Sequence, residues 1–159
     1  MNDMNRHYRR SIRLHEYDYS QTGTYFVTIC TQRRKCLFGA IADGEMAMNE
    51  SGMIARECWD LIPAHFANTE LDEYVVMPNH IHGIIVIDLD MASGGTACRA
   101  PTTLHAPTTE SFGKPTMHSM PTIVRSFKSA VTKQINDLRR TPGSPVWQHG
   151  YYEHVIRTD

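Results

Sequence analysis

No stretch of this chain approaches the roughly 18 uninterrupted apolar residues that crossing a bilayer requires. The opening segment, "MNDMNRHYRRSIRLHEYDYS", carries basic residues but no apolar signal core, so a cytoplasmic protein with no membrane partner is expected. Cysteine is scarce too. Cys30, Cys36, Cys58 and Cys98 lie at irregular separations with no C-x-x-C pair, which excludes a zinc knuckle or a disulfide framework and leaves reduced core or surface thiols. Net charge is also lacking, at -1, and a near-neutral total ordinarily argues against a nucleic-acid partner.

That total conceals segregation. Residues 1 to 40 hold seven Lys/Arg (Arg6, Arg9, Arg10, Arg13, Arg33, Arg34, Lys35) against three acids. Residues 43 to 90 hold ten acids and one base, Arg56, and residues 121 to 140 hold five bases against Asp137. Charge sorted this way leaves one face positive while the sum stays near zero, although ordinary solvated surface explains either basic segment alone about as well. With 159 residues, 41% of them hydrophobic, a single domain over 1–159 is expected.

"GTYFVTICTQ" (23 to 32) is aromatic and β-branched with apolar residues on both faces, and reads as a buried strand. "CLFGAIADGEMAMN" follows as a hairpin or irregular ribbon marked by Gly39 and Asp43-Gly44. In "NESGMIARECWDLIPAHF", Ile54, Cys58, Leu61 and Ile62 recur at helical spacing behind Asn49 or Ser51 as cap, with Pro63 helping to end the helix. "LDEYVVMP" (71 to 78) and "HIHGIIVI" (80 to 87) are two strands joined through little more than Pro78 and Asn79. A helix among paired strands predicts an α+β sandwich.

Residues 91 to 121 break the pattern: Gly, Pro, Ser and Thr fill 16 of 31 positions and "APTT" occurs twice. Without apolar periodicity this segment is expected to be a long flexible loop inserted in the domain. "PTIVRSFKSAVTKQINDLRR" (121 to 140) predicts a helix with Ile123, Phe127, Val131, Ile135 and Leu138 on its apolar side. Arg125, Lys128, Lys133, Arg139 and Arg140, with Ser129, Thr132 and Asn136, form a basic, hydroxyl-rich side that suits phosphate contact or plain solvation. "TPGSPVWQHGYYEHVIRTD" closes with a turn and an aromatic run fit for an edge strand.

On a strand, His80 and His82 share one face while Ile81, Gly83, Ile85 and Ile87 take the other. With nine histidines in 159 residues an H-x-H pair arises by chance about half the time, so the motif alone is weak. Its setting strengthens it, because each unpartnered ring inside a sheet costs about 1 to 3 kcal/mol. A metal-ligand role or a partly solvated cleft resolves that cost; the former needs a third ligand from another element.

"YVVMPNHIHGIIVI" resembles the signature of the HUH single-tyrosine transposases, in particular the REP-associated tyrosine transposases and related insertion-sequence transposases. "YDYSQTGTYFVTICTQRRKCLFG", "IVRSFKSAVTKQIN" and "VWQHGYYEHVIR" resemble that family's segments in the same order, so the likeness spans nearly the whole chain outside the Thr/Pro-rich loop. It implies a ferredoxin/RRM-like antiparallel sheet with helices on one face. His80 and His82 would hold a divalent metal ion, magnesium or manganese, that polarises a scissile phosphate. The implied activity is cleavage and rejoining of single-stranded DNA beside hairpin (palindromic) elements through a 5'-phosphotyrosine. Arg9, Arg10, Arg33, Arg34, Lys35, Arg125, Lys128 and Lys133 are the candidate DNA contacts; monomer and homodimer both stay open.

The family's nucleophilic tyrosine lies on a helix after the "VWQHGYYEHVIR" block, in a segment resembling "YI-x-x-N-P", and no residue here matches it. The chain is therefore expected to bind metal and hairpin DNA but to cleave poorly. Tyr151 and Tyr152 are neighbours on a predicted strand, one facing core and one surface; Tyr25 and Tyr74 read as strand packing, and Trp147 as a core anchor. His154 reads as a core histidine or an extra metal ligand. A non-catalytic DNA-hairpin-binding module is the alternative, and an unrelated metal hydrolase a weaker one.

Overall fold

The computed structural model describes residues 21–88 and 119–157. Strand β1 (Gly23–Cys30) leads through a 3-10 turn (Gln32–Arg34) to β2 (Gly39–Ala42) and β3 (Glu45–Met48). Helix α1 (Glu50–Asp60), the short α2 (Ile62–His65), β4 (Thr69–Met77), β5 (His80–Ile87), α3 (Met120–Arg139) and β6 (Tyr152–Ile156) follow. The main sheet runs β4-β5-β1-β6 with every neighbouring pair antiparallel, and β2 and β3 form a separate ribbon. This is the α+β architecture expected. The ribbon turns where Asp43-Gly44 indicated, with both residues at positive φ (53° and 84°), which matches the right-handed twist of the strands.

Among the described residues helices cover one face of the sheet and leave the other open, with the side chains of β1 and β5 on it half-buried. On the covered face Tyr25, Val27 and Ile29 of β1 and Ile81, Ile85 and Ile87 of β5 are fully buried beneath α1 and α3. Aromatic rings run through this core: Trp59 of α1 meets Phe127 of α3 edge-on at 5.2 Å, and Phe127 lies 5.7 Å from Trp147, which lies 5.3 Å from Phe38. Gly83 makes room for this arrangement, since a Cβ there would sit 2.3 Å from Cζ2 of Trp59.

Asn49 caps α1 by accepting from Gly52 N at 3.0 Å. The inward position of this helix belongs to Trp59, fully buried, and not to Leu61, which is 50% exposed. The reason is helical phase: Leu61 still donates its N–H to Glu57 O, and at about 100° per residue it lies on the side of α1 away from Trp59; Pro63 then starts the short α2 instead of only closing α1. Leu138 is likewise displaced from the predicted apolar side of α3, at 45% exposed. Asn136 takes the inward place in that last turn, because its Nδ2 donates to Ser144 O at 3.0 Å and ties the following turn to the helix.

The inserted segment predicted at 91–121 lies almost wholly outside the described residues. Its last three positions do not: Ser119 precedes α3, and Met120 and Pro121 are buried in its first turn. Proline suits that turn, where its missing N–H has no intrahelical partner to serve. Trp147 is buried as expected, its Nε1 donating to Lys128 O at 3.1 Å. Of the cysteines, Cys58 is buried, Cys36 exposed and Cys30 intermediate, all three free; Cys98 lies outside the described residues. No helix among the described residues is long and apolar enough to cross a membrane.

Candidate metal and nucleic-acid site

β4 and β5 meet in a two-residue turn of Pro78 and Asn79, with Met77 opposite His80 in the register. Strand alternation then fixes the direction of each ring: Ile81, Ile85 and Ile87 go into the core, and His80 and His82 go to the open face. The two imidazoles stand edge to face with centroids 4.5 Å apart. Across the sheet, Cys30 lies opposite His80, and Thr28 lies between His82 on one side and Tyr152 on the other.

Both rings are anchored through the same atom. His80 Nδ1 is 2.6 Å from Asn79 Oδ1, and His82 Nδ1 is 2.8 Å from Thr28 Oγ1. Phe26 stacks on His82 with centroids 5.4 Å apart and planes 20° from parallel. Among the described residues no hydrogen bond reaches either Nε2. Burial, followed by the neighbouring His82 and Arg34, pushes the pKa of His80 below its ordinary value and favours the neutral ring that a metal needs.

Two imidazoles side by side with their Nδ1 atoms held by neighbouring oxygens fit a divalent cation, and they suit manganese better than magnesium, which prefers oxygen donors. Among the described residues no third His, Cys, Asp or Glu completes a group with them. His154 is exposed on β6 and pairs with Phe26, two residues along β1 from the partner of His82, so it is neither a core histidine nor part of the pair. The remaining positions would fall to water and phosphate oxygens.

The tyrosines divide clearly. Tyr25 is fully buried and Tyr151 packs partly buried against the core, while Tyr74 donates to Asp60 Oδ1 at 2.6 Å. Burial first, then the Asp60 carboxylate, pushes the Tyr74 phenol up to about 12. Tyr152, 43% exposed, shares the histidines' open face.

At the end of the sheet where β1 gives way to the 3-10 turn, two shallow grooves adjoin along the segment after α3. One, about 630 Å³, is lined by Lys128, Thr132, Lys133 and Gln148 among others, and the second, about 440 Å³, by Arg33, Lys35 and Arg139. Gln32 and Asn136 line both. Arg34 and Arg125 are exposed but line neither, and Arg9 and Arg10 lie outside the described residues. Lys128 is committed in part to the fold: its Nζ donates to Gln148 O at 2.8 Å and Gly150 O at 2.9 Å, and burial lowers its pKa against the opposing influence of Cys30. Asn79 and Thr28 escaped the sequence reading. Only the adjacency of Asn79 to His80 hinted at the first, and nothing local marked Thr28, which lies 54 residues from His82.

The fold and site define an α+β protein with a two-histidine strand site open to one side and a basic groove at the same end. The chain belongs to the family of a Haemophilus influenzae Rd protein described as uncharacterized, to which it is 42% identical over 153 residues, covering 96% of this chain and 81% of that protein. No family model matches the sequence. Among solved structures, the chain is similar to a REP-associated tyrosine transposase bound to a REP hairpin, at 18% identity and TM-score 0.48, over 92% of this chain and 63% of that one. It is also similar to a candidate transposase from Deinococcus radiodurans R1, at 15% identity and TM-score 0.49, over 91% of this chain and 85% of that one. The chain thus spans less than two thirds of the length of the hairpin-bound transposase.

Proposed function

We propose that this chain is a transposase-family domain that binds a divalent cation and hairpin-flanked single-stranded DNA for metal-dependent strand cleavage and transfer. The observation that carries the reading is the pair His80 and His82, on one open strand face, each held through Nδ1 and neither engaged at Nε2 by a described residue. The four-block likeness of the sequence to HUH single-tyrosine transposases supports the same reading. Magnesium or manganese bound there would neutralise charge building on a phosphate oxygen. The chain's own part is to hold the two rings rigidly on a central strand, and to seat the DNA backbone along Arg33, Lys35 and Lys133 in the grooves.

The test is to mix the protein with manganese and a labelled hairpin carrying single-stranded flanks, then compare retention on a native gel with covalent adducts on a denaturing one. Retention of DNA, together with manganese binding that falls more than about 100-fold in His80→Ala and His82→Ala, is the expected result; that loss exceeds what an outer-shell partner costs. A protein–DNA adduct abolished by Tyr152→Phe would assign the attacking hydroxyl to the tyrosine on the histidines' face. Retention without metal binding or adduct would favour the binding-module alternative. Neither retention nor manganese binding would sink the proposal.

A further inference from the structure

Asn79 stands between the histidine pair and the basic turn, and the identities of its neighbours determine which proton His80 carries. Arg34 O is a carbonyl and can only accept, and Asn79 Nδ2 lies 3.2 Å from it, so the amide nitrogen faces that way. Asn79 Oδ1 therefore faces His80, and an amide oxygen can only accept as well. At 2.6 Å from it, His80 Nδ1 must be the donor, and the neutral ring then has its lone pair on Nε2. His82 differs, because its partner is the Thr28 hydroxyl, which donates or accepts equally well.

The carbonyl at the head of this relay is set by an unusual backbone. Arg33 and Arg34 both adopt positive φ (55° and 53°), a conformation that costs non-glycine residues on the order of 1 kcal/mol or more and persists only where neighbours enforce it. The enforcement is visible. Thr31, fully buried, donates its N–H (2.9 Å) and its hydroxyl (3.0 Å) to Asn79 O, and the same hydroxyl lies 2.8 Å from Lys35 O. Phe38 N donates to Pro78 O at 3.0 Å, so the turn carrying Asn79 is clamped from both sides.

We propose that Asn79 is a positioning residue that locks His80 in its Nδ1–H tautomer, taking its own orientation from the strained Arg33–Arg34 turn and so coupling that basic turn to the histidine pair. Its purpose rests on the metal reading given above; the tautomer itself does not. The side chain that presents Nε2 is thereby tied to the segment whose arginine and lysine side chains face the nearby groove.

Long-range 1H–15N correlation spectra of the metal-free, histidine-labelled chain report the tautomer directly, and manganese titration reports its consequence. His80 is expected as the Nδ1–H form in the native chain and in Asn79→Asp, which keeps an acceptor, and as a tautomer mixture in Asn79→Ala. Manganese affinity should fall about 10- to 100-fold in Asn79→Ala, the range for losing an outer-shell partner, and recover only in part in Asn79→Asp, which keeps the acceptor for His80 but loses the donor that Arg34 O orients. Circular dichroism and thermal melts of both variants separate this from loss of the fold, which would not be rescued by an acceptor. A native His80 in the Nε2–H form, or an Asn79→Ala spectrum and affinity matching the native ones, would overturn the proposal. If the tautomer is as stated and responds to Asn79 while manganese binds no better than to a His80→Ala/His82→Ala chain, the lock stands and the metal reading fails.

Discussion

Three influences act on His80 in one direction. Burial, the adjacent His82 and the Arg34 guanidinium all disfavour its protonated form, so its folded pKa lies below the value of about 6.5 it has in an unfolded chain. Between those two values the unfolded chain binds more protons than the folded one. Stability at this residue therefore rises with pH through that window, is complete above about 6.5, and is lost as pH falls toward the lower folded value. Urea melts at pH 5.5 and 7.5 check this: the native chain should lose more stability on acidification than His80→Gln, whose side chain does not titrate. Equal losses would show that the ring is protonated as readily in the fold as outside it. The side chain was legible in the sequence as a strand-face histidine, but its partners were not, since Asn79 Oδ1 and Thr28 Oγ1 become neighbours only through the hairpin turn and the β1–β5 register.

Among the elements, α1 and β5 depend on a missing side chain. Trp59 lies against the covered face of β5 where Gly83 leaves a gap, and an added methyl would meet the indole at 2.3 Å. Gly83→Ala should cost about 1 to 3 kcal/mol, as overpacking of a full core does, with part of it recovered when Trp59→Phe shortens the facing ring. Chemical denaturation of the single and double variants measures this, and additive losses would mean that the two residues do not share the space. Helical periodicity located both long helices, and β-branched runs located β1, β4 and β5. It failed at Leu61 because that residue, still bonded to Glu57 O, lies round the helix from Trp59, and at Leu138 because that residue lies in the last turn of α3. There, inward positions are set by Trp59 and by the hydrogen bond of Asn136 to Ser144.

For the molecule as a whole, segregated charge has a spatial outcome. The acidic run of residues 43 to 90 includes exposed Glu70, Asp72 and Glu73 on β4, an outer strand of the sheet. Charge on such an edge discourages pairing with another strand and repels phosphate. The bases Arg33, Lys35, Lys133 and Arg139 gather instead around the grooves at the end of α3 and the 3-10 turn. If DNA lies along these grooves, neutralising Arg33 or Lys133 should flatten the dependence of log affinity on log salt by about 0.7 per lost phosphate contact on single strands. Binding titrations over a salt series with Arg33→Gln, Lys133→Gln and the exposed Glu70→Gln as control check it. A slope unchanged in the two basic variants would place the DNA elsewhere.

What the sequence determined by itself was local: the run of strands and helices, the shared face of His80 and His82, and the sorting of charge along the chain. Each follows from periodicity or composition within a few residues. What only the tertiary structure decided was which distant groups meet. The sheet order β4-β5-β1-β6 sets Thr28 beside His82 and Tyr152 two strands away on the same face, and exposes His154. It also brings Lys128 Nζ to the carbonyls of Gln148 and Gly150, partners that helical periodicity does not reveal. Hydrogen bonds across tens of residues leave no periodic trace in a sequence, because their geometry is created by strand register and not by spacing along the chain.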